Sequence, residues 1–438
     1  MRAYVTFYLW TQSILIQLFG FGSQSLTSLS RVLSSILFVL TFLLVLFSLT
    51  TITRNRYASK VVNLMIPLFL ILSLCPLIMY LQLGRINEIN EIVRLYSWLL
   101  LLPLSSIAFN KPEHMKSLKR AYLGSFMIIM LGFFYANLTR TGISAYNLNY
   151  FFLGGIQNEA TASLCVSMMS FGLFLPVLLK GKVAFEKKYV IFASISFLVI
   201  LAILKRSAIL AFPLSILFFG YNLYRSGAIK IKVLHVLSIF TIVFGLILTA
   251  TIYAINNPEI IEGRTKDFSK FEETGDTRYL GAGRFYLAGI YIDMFANSSF
   301  ANMLLGQFPL SSDIPQNPGY LNTIHNHPHN DFLDITLRGG IISFFLFYSI
   351  LGSILILALK QLKRSKYPLL STYSALIIGL FLFYLSQAFV GTLVRLQAMS
   401  YFSVMLGSYL GLSHYYFKKN IFEKRSLINS RREKNEEN

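Results

Sequence analysis

Long apolar runs, interrupted by short polar and basic breaks, repeat from the first residues of the chain almost to its end. Crossing the hydrocarbon core of a bilayer takes roughly 20 apolar residues in a helix. Runs of that kind fall at residues 4–21, 32–52, 61–83, 92–109, 121–139, 161–179, 189–204, 207–224, 233–255, 340–359, 369–391 and 396–417. Inside lipid every backbone amide and carbonyl must find its partner within the segment, so repeated runs of this length predict helices and not a barrel. The expected fold class is all-α, a polytopic membrane protein of about 12 transmembrane helices.

The polar breaks alternate in charge. Arg54, Arg56 and Lys60 follow the second run; Lys111, Lys116, Lys119 and Arg120 the fourth; Lys180, Lys182, Lys187 and Lys188 the sixth. Arg225, Lys230 and Lys232 follow the eighth, and Lys360, Lys363, Arg364 and Lys366 the tenth. By the positive-inside rule these loops are expected in the cytoplasm, together with the tail that holds Lys418, Lys419, Lys424 and Arg425. Both termini then lie inside. The opposite face receives the loop 140–160, the Lys205-Arg206 turn and the long segment 256–339.

The expected organisation is helices one to nine in 1–255, an outer-face subdomain in 256–339, helices ten to twelve in 340–417 and a basic cytoplasmic tail in 418–438. Within the long segment, Gly283 to Phe295 reads as an amphipathic helix lying along the membrane surface. Its apolar side would be Phe285, Ala288, Tyr291, Ile292 and Phe295. A loop rich in Pro, Ser and Asn covers Pro309 to Pro328, and a second helix starts near Asn330 and runs toward the tenth span. No internal repeat of the kind that builds many transporters is visible.

Composition agrees with this picture. The chain is 55% apolar and only 13% charged, far from a soluble globular balance. A net charge of +20 would suit a nucleic-acid binder, but the basic residues sit in short clusters between apolar runs, without a stripe of interleaved aromatics. Nucleic acid is therefore not an expected partner. Cys75 and Cys165 fall inside apolar runs, where a thiol behaves as a small hydrophobe; neither a disulfide framework nor a metal pair is implied. Arg2 followed by the apolar stretch from Tyr4 to Phe21 reads as an uncleaved first span.

The densest polar cluster is HNHPHNDFLDITLRGG, from His325 to Gly340, which places three of the six histidines on the outer face. Imidazole suits zinc, yet the intervening proline and the lack of an adjacent cysteine make the metal signal weak. Local helix chemistry accounts for part of the cluster: Asn330 as an N-cap, Asp331 at the positive helix end, and Asp334 pairing with Arg338 at i, i+4. It leaves the histidines unexplained. A histidine held just before a helix at the lipid boundary titrates near neutral pH and can serve as a general base.

Arg206 lies in a turn so short that its side chain must sit at the outer interface, where an unpaired charge costs about 2.5 to 3.5 kcal/mol at worst. A topological stop explains it as well. Arg284 follows Gly281-Ala282-Gly283, so its guanidinium and the free N–H groups of a helix start are suited to an anion such as phosphate. A simple surface salt bridge accounts for Arg284 equally well from this local view.

These residues resemble the O-antigen ligase and O-antigen polymerase superfamily of membrane glycosyltransferases. HNDFLDITLRGGIIS is similar to that family's His-Asn, spacer, Gly-x-x-Gly signature, with Ser343 where the last glycine is usual. GGIQNEA with Asn158, KRSAIL with Arg206 and GAGR with Arg284 follow in the family's order. The resemblance implies a transferase working outside the cytoplasmic leaflet of a bacterial inner membrane, on a glycan carried by a polyprenyl (undecaprenyl) diphosphate. The acceptor would be a lipid A-core or a second lipid-linked glycan. It implies His329 as the base that activates the acceptor hydroxyl, and Arg206 and Arg284 as diphosphate-binding arginines. Asn158, His327, His325, Asn330 and Arg338 are candidate substrate-lining residues, His327 being the first substitute for His329. A single displacement predicts inversion at the anomeric carbon, with no metal and no cofactor. Asp331 and Asp334, one helical turn apart, are read as cap and salt-bridge partners and not as a glycosidase pair.

The leading reading is a ligase of lipopolysaccharide biosynthesis. A polymerase joining lipid-linked repeat units would use the same histidine and arginines. A transporter or flippase for the lipid-linked glycan belongs to a different class, and would carry charged groups deep in several spans and broken helices near the midplane.

Overall fold

The computed structural model describes residues 1–18, 24–83, 87–141, 143–144, 151–152, 217–222, 224–225, 272–275, 284–306, 330–364, 367–388 and 399–436. Its main helices are α1 (Arg2–Leu18), α2 (Gln24–Phe47), α3 (Arg56–Leu83), α4 (Asn87–Ala108), α5 (Met115–Thr139), α6 (Arg284–Ala296), α7 (Phe300–Leu305), α8 (Asp331–Arg364), α9 (Pro368–Ala388) and α10 (Met399–Glu436). The protein is helical as expected. A two-residue antiparallel ladder, Ile143–Ser144 against Phe151–Phe152, lies in the loop after α5. The predicted runs at 161–179, 189–204 and 233–255, and most of 207–224, lie outside the described residues.

Among the described residues, 4 helices are long and apolar enough to cross a membrane: those over Arg56–Ser73, Pro112–Thr139, Asp331–Lys363 and Pro368–Ser386. The surfaces of the helices point to lipid as well. Along α2, Val32, Ile36, Val39, Leu43 and Leu46 recur at helical spacing and are all exposed, a continuous apolar stripe that water would not tolerate. Leu131, Phe134 and Leu138 do the same on α5.

What joins helices inside lipid is close packing and interhelical hydrogen bonding, because a lipid tail is as apolar as leucine. The α4–α10 seam follows that rule. A Cβ on Gly407 would strike the Leu102 carbonyl, and one on Gly411 the Ser106 carbonyl. Glycine at this i, i+4 spacing lets the two backbones touch.

Hydroxyls join α10 to both α9 and α8. The Tyr373 hydroxyl donates to the Met405 carbonyl at 3.1 Å, Tyr409 shares a hydrogen bond with Ser374 at 2.9 Å, and Tyr409 and Ser413 both donate to Gln361 Oε1, at 2.7 and 2.9 Å. Such bonds contribute about 0.6 kcal/mol each in a membrane helix bundle. Tyr401 ties α10 to α1 by donating to the Leu9 carbonyl at 3.0 Å. Trp10 and Gln17 join α1 to α5 through the Ala121 and Ile128 carbonyls, at 3.0 and 2.7 Å.

The tail expected at 418–438 is a continuation of α10, which stays helical to Glu436. Its root is pinned by cations over aromatic rings: Arg56 stands 4.8 Å from the Phe417 ring centre and Lys419 stands 5.6 Å from that of Tyr367.

Candidate functional site

Helix α8 carries the motif and is not straight. Gly340 has φ 67° and ψ −174°, a backbone region open essentially to glycine alone. On a continuous helix Phe332 and Tyr348 would be about 24 Å apart, at 1.5 Å per residue. Their rings instead stack at 5.0 Å and 11°, and Phe332 also lies 6.5 Å from the Phe344 ring. The segment Asp331–Gly339 is therefore folded back against the span that starts at Ile341. The expected helix from Asn330 toward the tenth span exists, but its first turn lies beside the Phe344–Tyr348 turn and not one helix length beyond it.

The corner is held by α7. Ser299 caps that helix, its hydroxyl accepting from the Asn302 amide at 3.3 Å, and the chain leaves it at Gly306 with φ 97°. A Cβ on Gly306 would strike the Arg338 carbonyl; one on Gly340 would strike the Leu304 carbonyl and come within 2.6 Å of the Gly306 amide nitrogen. Two glycine-bearing turns meet backbone to backbone. The Gly339-Gly340 pair makes this corner, a tighter use of glycine than a helix start requires.

The first turn of α8 has the predicted capping. Asn330 Oδ1 accepts from the amides of Phe332 and Leu333 at 2.9 and 3.1 Å, and Arg338 Nε stands 3.3 Å from Asp334 Oδ2. The surroundings differ from the charged, wet helix face that the spacing suggested. Asp331 is 0% exposed, Asp334 1% and Arg338 7%. Removing an ion pair from water costs several kcal/mol per ion, which only close pairing and further hydrogen bonds offset. Three buried ionisable side chains on one folded-back segment therefore mark a site under strong constraint.

Two residues invisible to sequence reasoning complete it. Tyr348, from the returning leg of α8, and Tyr384, from α9, both bring phenol groups into the field of Asp331 and beside each other. Both hydroxyls are buried. In the sequence they are two tyrosines within apolar runs, and only the Gly340 corner brings the first turn of α8 back against the Tyr348 ring.

Helix α6 also reaches this segment. Tyr291 is 0% exposed and packs on Leu337, with Met294, Phe295 and Leu333 around it. Ile292, assigned by periodicity to the same apolar side, is 52% exposed. The helix therefore spends Tyr291 and Phe295 on α8. Arg284 opens α6, about 10 Å of helix upstream of Tyr291. The structure thus brings together the GAGR helix and the segment following His329. Asn158, Arg206, His325, His327, His329 and the side chain of Arg284 lie outside the described residues.

Compared with known proteins, residues 191–348 match the O-antigen ligase family. No curated protein matches the chain. The matched stretch contains Arg206, Arg284 and the whole of HNDFLDITLRGGIIS, and it ends at Tyr348; Asn158 and Tyr384 lie beyond it. The family domain therefore takes in both the α6 helix and the folded-back segment.

Proposed function

We propose that this membrane protein, carrying an O-antigen ligase family domain, transfers a glycan from an undecaprenyl diphosphate carrier to an acceptor hydroxyl at the outer face of the bacterial inner membrane. The acceptor in this reading is a lipid A-core, and the protein is an O-antigen ligase. The observation that carries the proposal is the packing of Tyr291 on Leu333 and Leu337, which docks the helix beginning at Arg284 on the segment beginning one residue after His329.

His329 takes the proton of the acceptor hydroxyl, and the freed oxygen attacks the anomeric carbon. The bond from that carbon to the diphosphate oxygen breaks with its electron pair, and the configuration inverts. Arg284 and Arg206 meet the negative charge that gathers on the leaving diphosphate, where fixed guanidinium groups act most strongly in a partly dry site. The free amides at the start of α6 add to that field. The buried Asp334–Arg338 pair and the Asn330 cap hold the first turn of α8 still.

The test is deletion of the gene followed by gel analysis of the surface glycan. A ligase loss leaves polymer stranded on the lipid carrier. Single repeat units attached to the acceptor would identify a polymerase. His329→Ala and Arg284→Ala are expected to reproduce the null phenotype at normal protein level, and full activity of either variant refutes the mechanism.

A further inference from the structure

At the end of its apolar run, α10 changes from aromatic to cationic within one turn. Tyr415, Tyr416 and Phe417 close the run 396–417. Tyr367 of α9 stacks on Tyr416 at 4.4 Å and 26°, and Tyr57 of α3 meets the Phe417 ring edge-on at 6.1 Å. Aromatic rings gathered at one level of a helix bundle mark the boundary between hydrocarbon and water. Just past that level come Lys418 and Lys419, both exposed, and then Phe422, which is 75% exposed.

Phe422 stands four residues after Lys418 and three after Lys419, so the three side chains share one face of the helix. Helical side chains tilt toward the N-terminus, which for α10 turns the Phe422 ring back over the two lysines and toward the bilayer. Five residues past Phe417 is about 7.5 Å of helix, comparable with a headgroup layer of roughly 5–7 Å on each side of the hydrocarbon core. A phenylalanine bared at that depth finds apolar company only among lipids. The contacts to neighbouring helices are made by other residues of this turn: Glu423 accepts from the Tyr367 hydroxyl at 3.3 Å, and Phe417 has Arg56 at 4.8 Å from its ring centre. Lys419 holds its ammonium 5.6 Å from the Tyr367 ring centre, which places the charge and leaves N–H groups on its far side for an anion.

We infer that the root of α10 binds an anionic phospholipid of the leaflet to which the basic loops assign the cytoplasm. Lys418 and Lys419 meet the phosphate, and Phe422 packs along the glycerol and the first acyl carbons. Lysine approaches a phosphate as a compact charge with three donors. Each lysine beside an anionic membrane surface raises binding about fivefold. A zwitterionic lipid brings the same phosphate with its own compensating cation, so the site selects on net headgroup charge. The inference does not depend on the transfer reaction.

The experiment places the full-length Phe422→Trp protein in phosphatidylcholine vesicles that carry a minor share of one brominated lipid, either phosphatidylglycerol or phosphatidylcholine. The bromines sit near the carbonyl end of the acyl chains and quench indole fluorescence at contact. The parent protein, with Trp10 and Trp98, supplies the background to subtract. Brominated phosphatidylglycerol is expected to quench the added tryptophan more strongly than brominated phosphatidylcholine. Lys418→Gln and Lys419→Gln in the same background should each lower that preference about fivefold, roughly 25-fold together. Lys60→Gln, which removes an exposed cation from α3, should leave it unchanged.

Equal quenching by the two lipids overturns the inference, and quenching by neither does so by placing residue 422 in water. A loss as large in Lys60→Gln as in the α10 variants also overturns it, since the preference would then come from diffuse charge. Inorganic phosphate is compared with chloride at equal ionic strength. If phosphate alone relieves the quenching, the turn binds a free anion and the lipid assignment falls.

Discussion

The Gly340 corner supports a quantitative prediction. At φ 67° and ψ −174°, an alanine would be held in a backbone region that costs of order 1–3 kcal/mol. Its Cβ would also meet the Leu304 carbonyl, which belongs to the last turn of α7 and cannot rotate away as a side chain can. Strain and overlap together oppose the folded-back arrangement by about 3 kcal/mol or more. At 1.4 kcal/mol per factor of ten, that shifts the balance between closed and opened corner by about a hundredfold. Gly352 supplies the control. It lies in the same helix with open space where a Cβ would go, and alanine there should stabilise by roughly 0.5–1 kcal/mol through helix propensity. The measurements are the thermal unfolding midpoint in detergent and glycan transfer in cells lacking the native gene. Gly340→Ala should lower the midpoint and abolish transfer, while Gly352→Ala should raise the midpoint slightly and leave transfer intact. A Gly340→Ala protein as stable and active as the parent would refute the fold-back at Gly340.

Asp334→Ala removes the carboxylate 3.3 Å from the buried Arg338 and should lower the unfolding midpoint; a double-mutant cycle with Arg338→Gln should recover part of that loss. Gly407→Val drives a branched side chain into the Leu102 carbonyl, and should reduce the yield of monodisperse protein on size exclusion sharply, with Gly352→Val giving normal yield. Tyr291→Ala removes the buried contact between α6 and α8 at a cost of about 3 kcal/mol, and should increase proteolysis within 256–329 while sparing the spans. Cysteines at Phe300 and Lys419 should be labelled by an impermeant maleimide from opposite sides of the membrane; labelling from the same side contradicts the orientation expected from the basic loops.

Much of the scaffold was legible because one-dimensional rules govern it. Apolar length placed the helices now seen as α1 to α5 and α8 to α10, and Asn330 and Arg338 take the cap and the i, i+4 partner that local spacing assigned. What escaped depends on three-dimensional closure. Gly340 opened the predicted run 340–359, and nothing local tells the first residue of a span from a corner with φ 67°. Tyr348 and Tyr384 read as span residues because the first turn of α8 comes back toward them only through that corner. Ile292 and Tyr291 looked equivalent by periodicity, and the choice between them was made by Leu333 and Leu337 on another helix. Gly306 carried no sequence signal, since its role is the backbone it admits on the opposite turn.

The same corner bears on whether the protein moves its lipid-linked substrate or reacts with it. Broken helices and buried charges are what a carrier would use, and α8 has both: a non-helical Gly340, and Asp331, Asp334 and Arg338 almost wholly buried. In a carrier the break lies near the midplane, so that neither half spans the bilayer and the site can open to both sides. In α8 the break lies at one end. From Ile341 to Arg364 the helix runs on without interruption, about 36 Å at 1.5 Å per residue, which crosses the roughly 30 Å hydrocarbon core alone. The buried ionisable groups of α8, Asp331, Asp334 and Arg338, belong to the segment before Gly340, on the side to which the charge pattern assigns the outer face. Among the described residues this site lies on one side of an intact span, a geometry that suits a reaction performed from one face of the membrane.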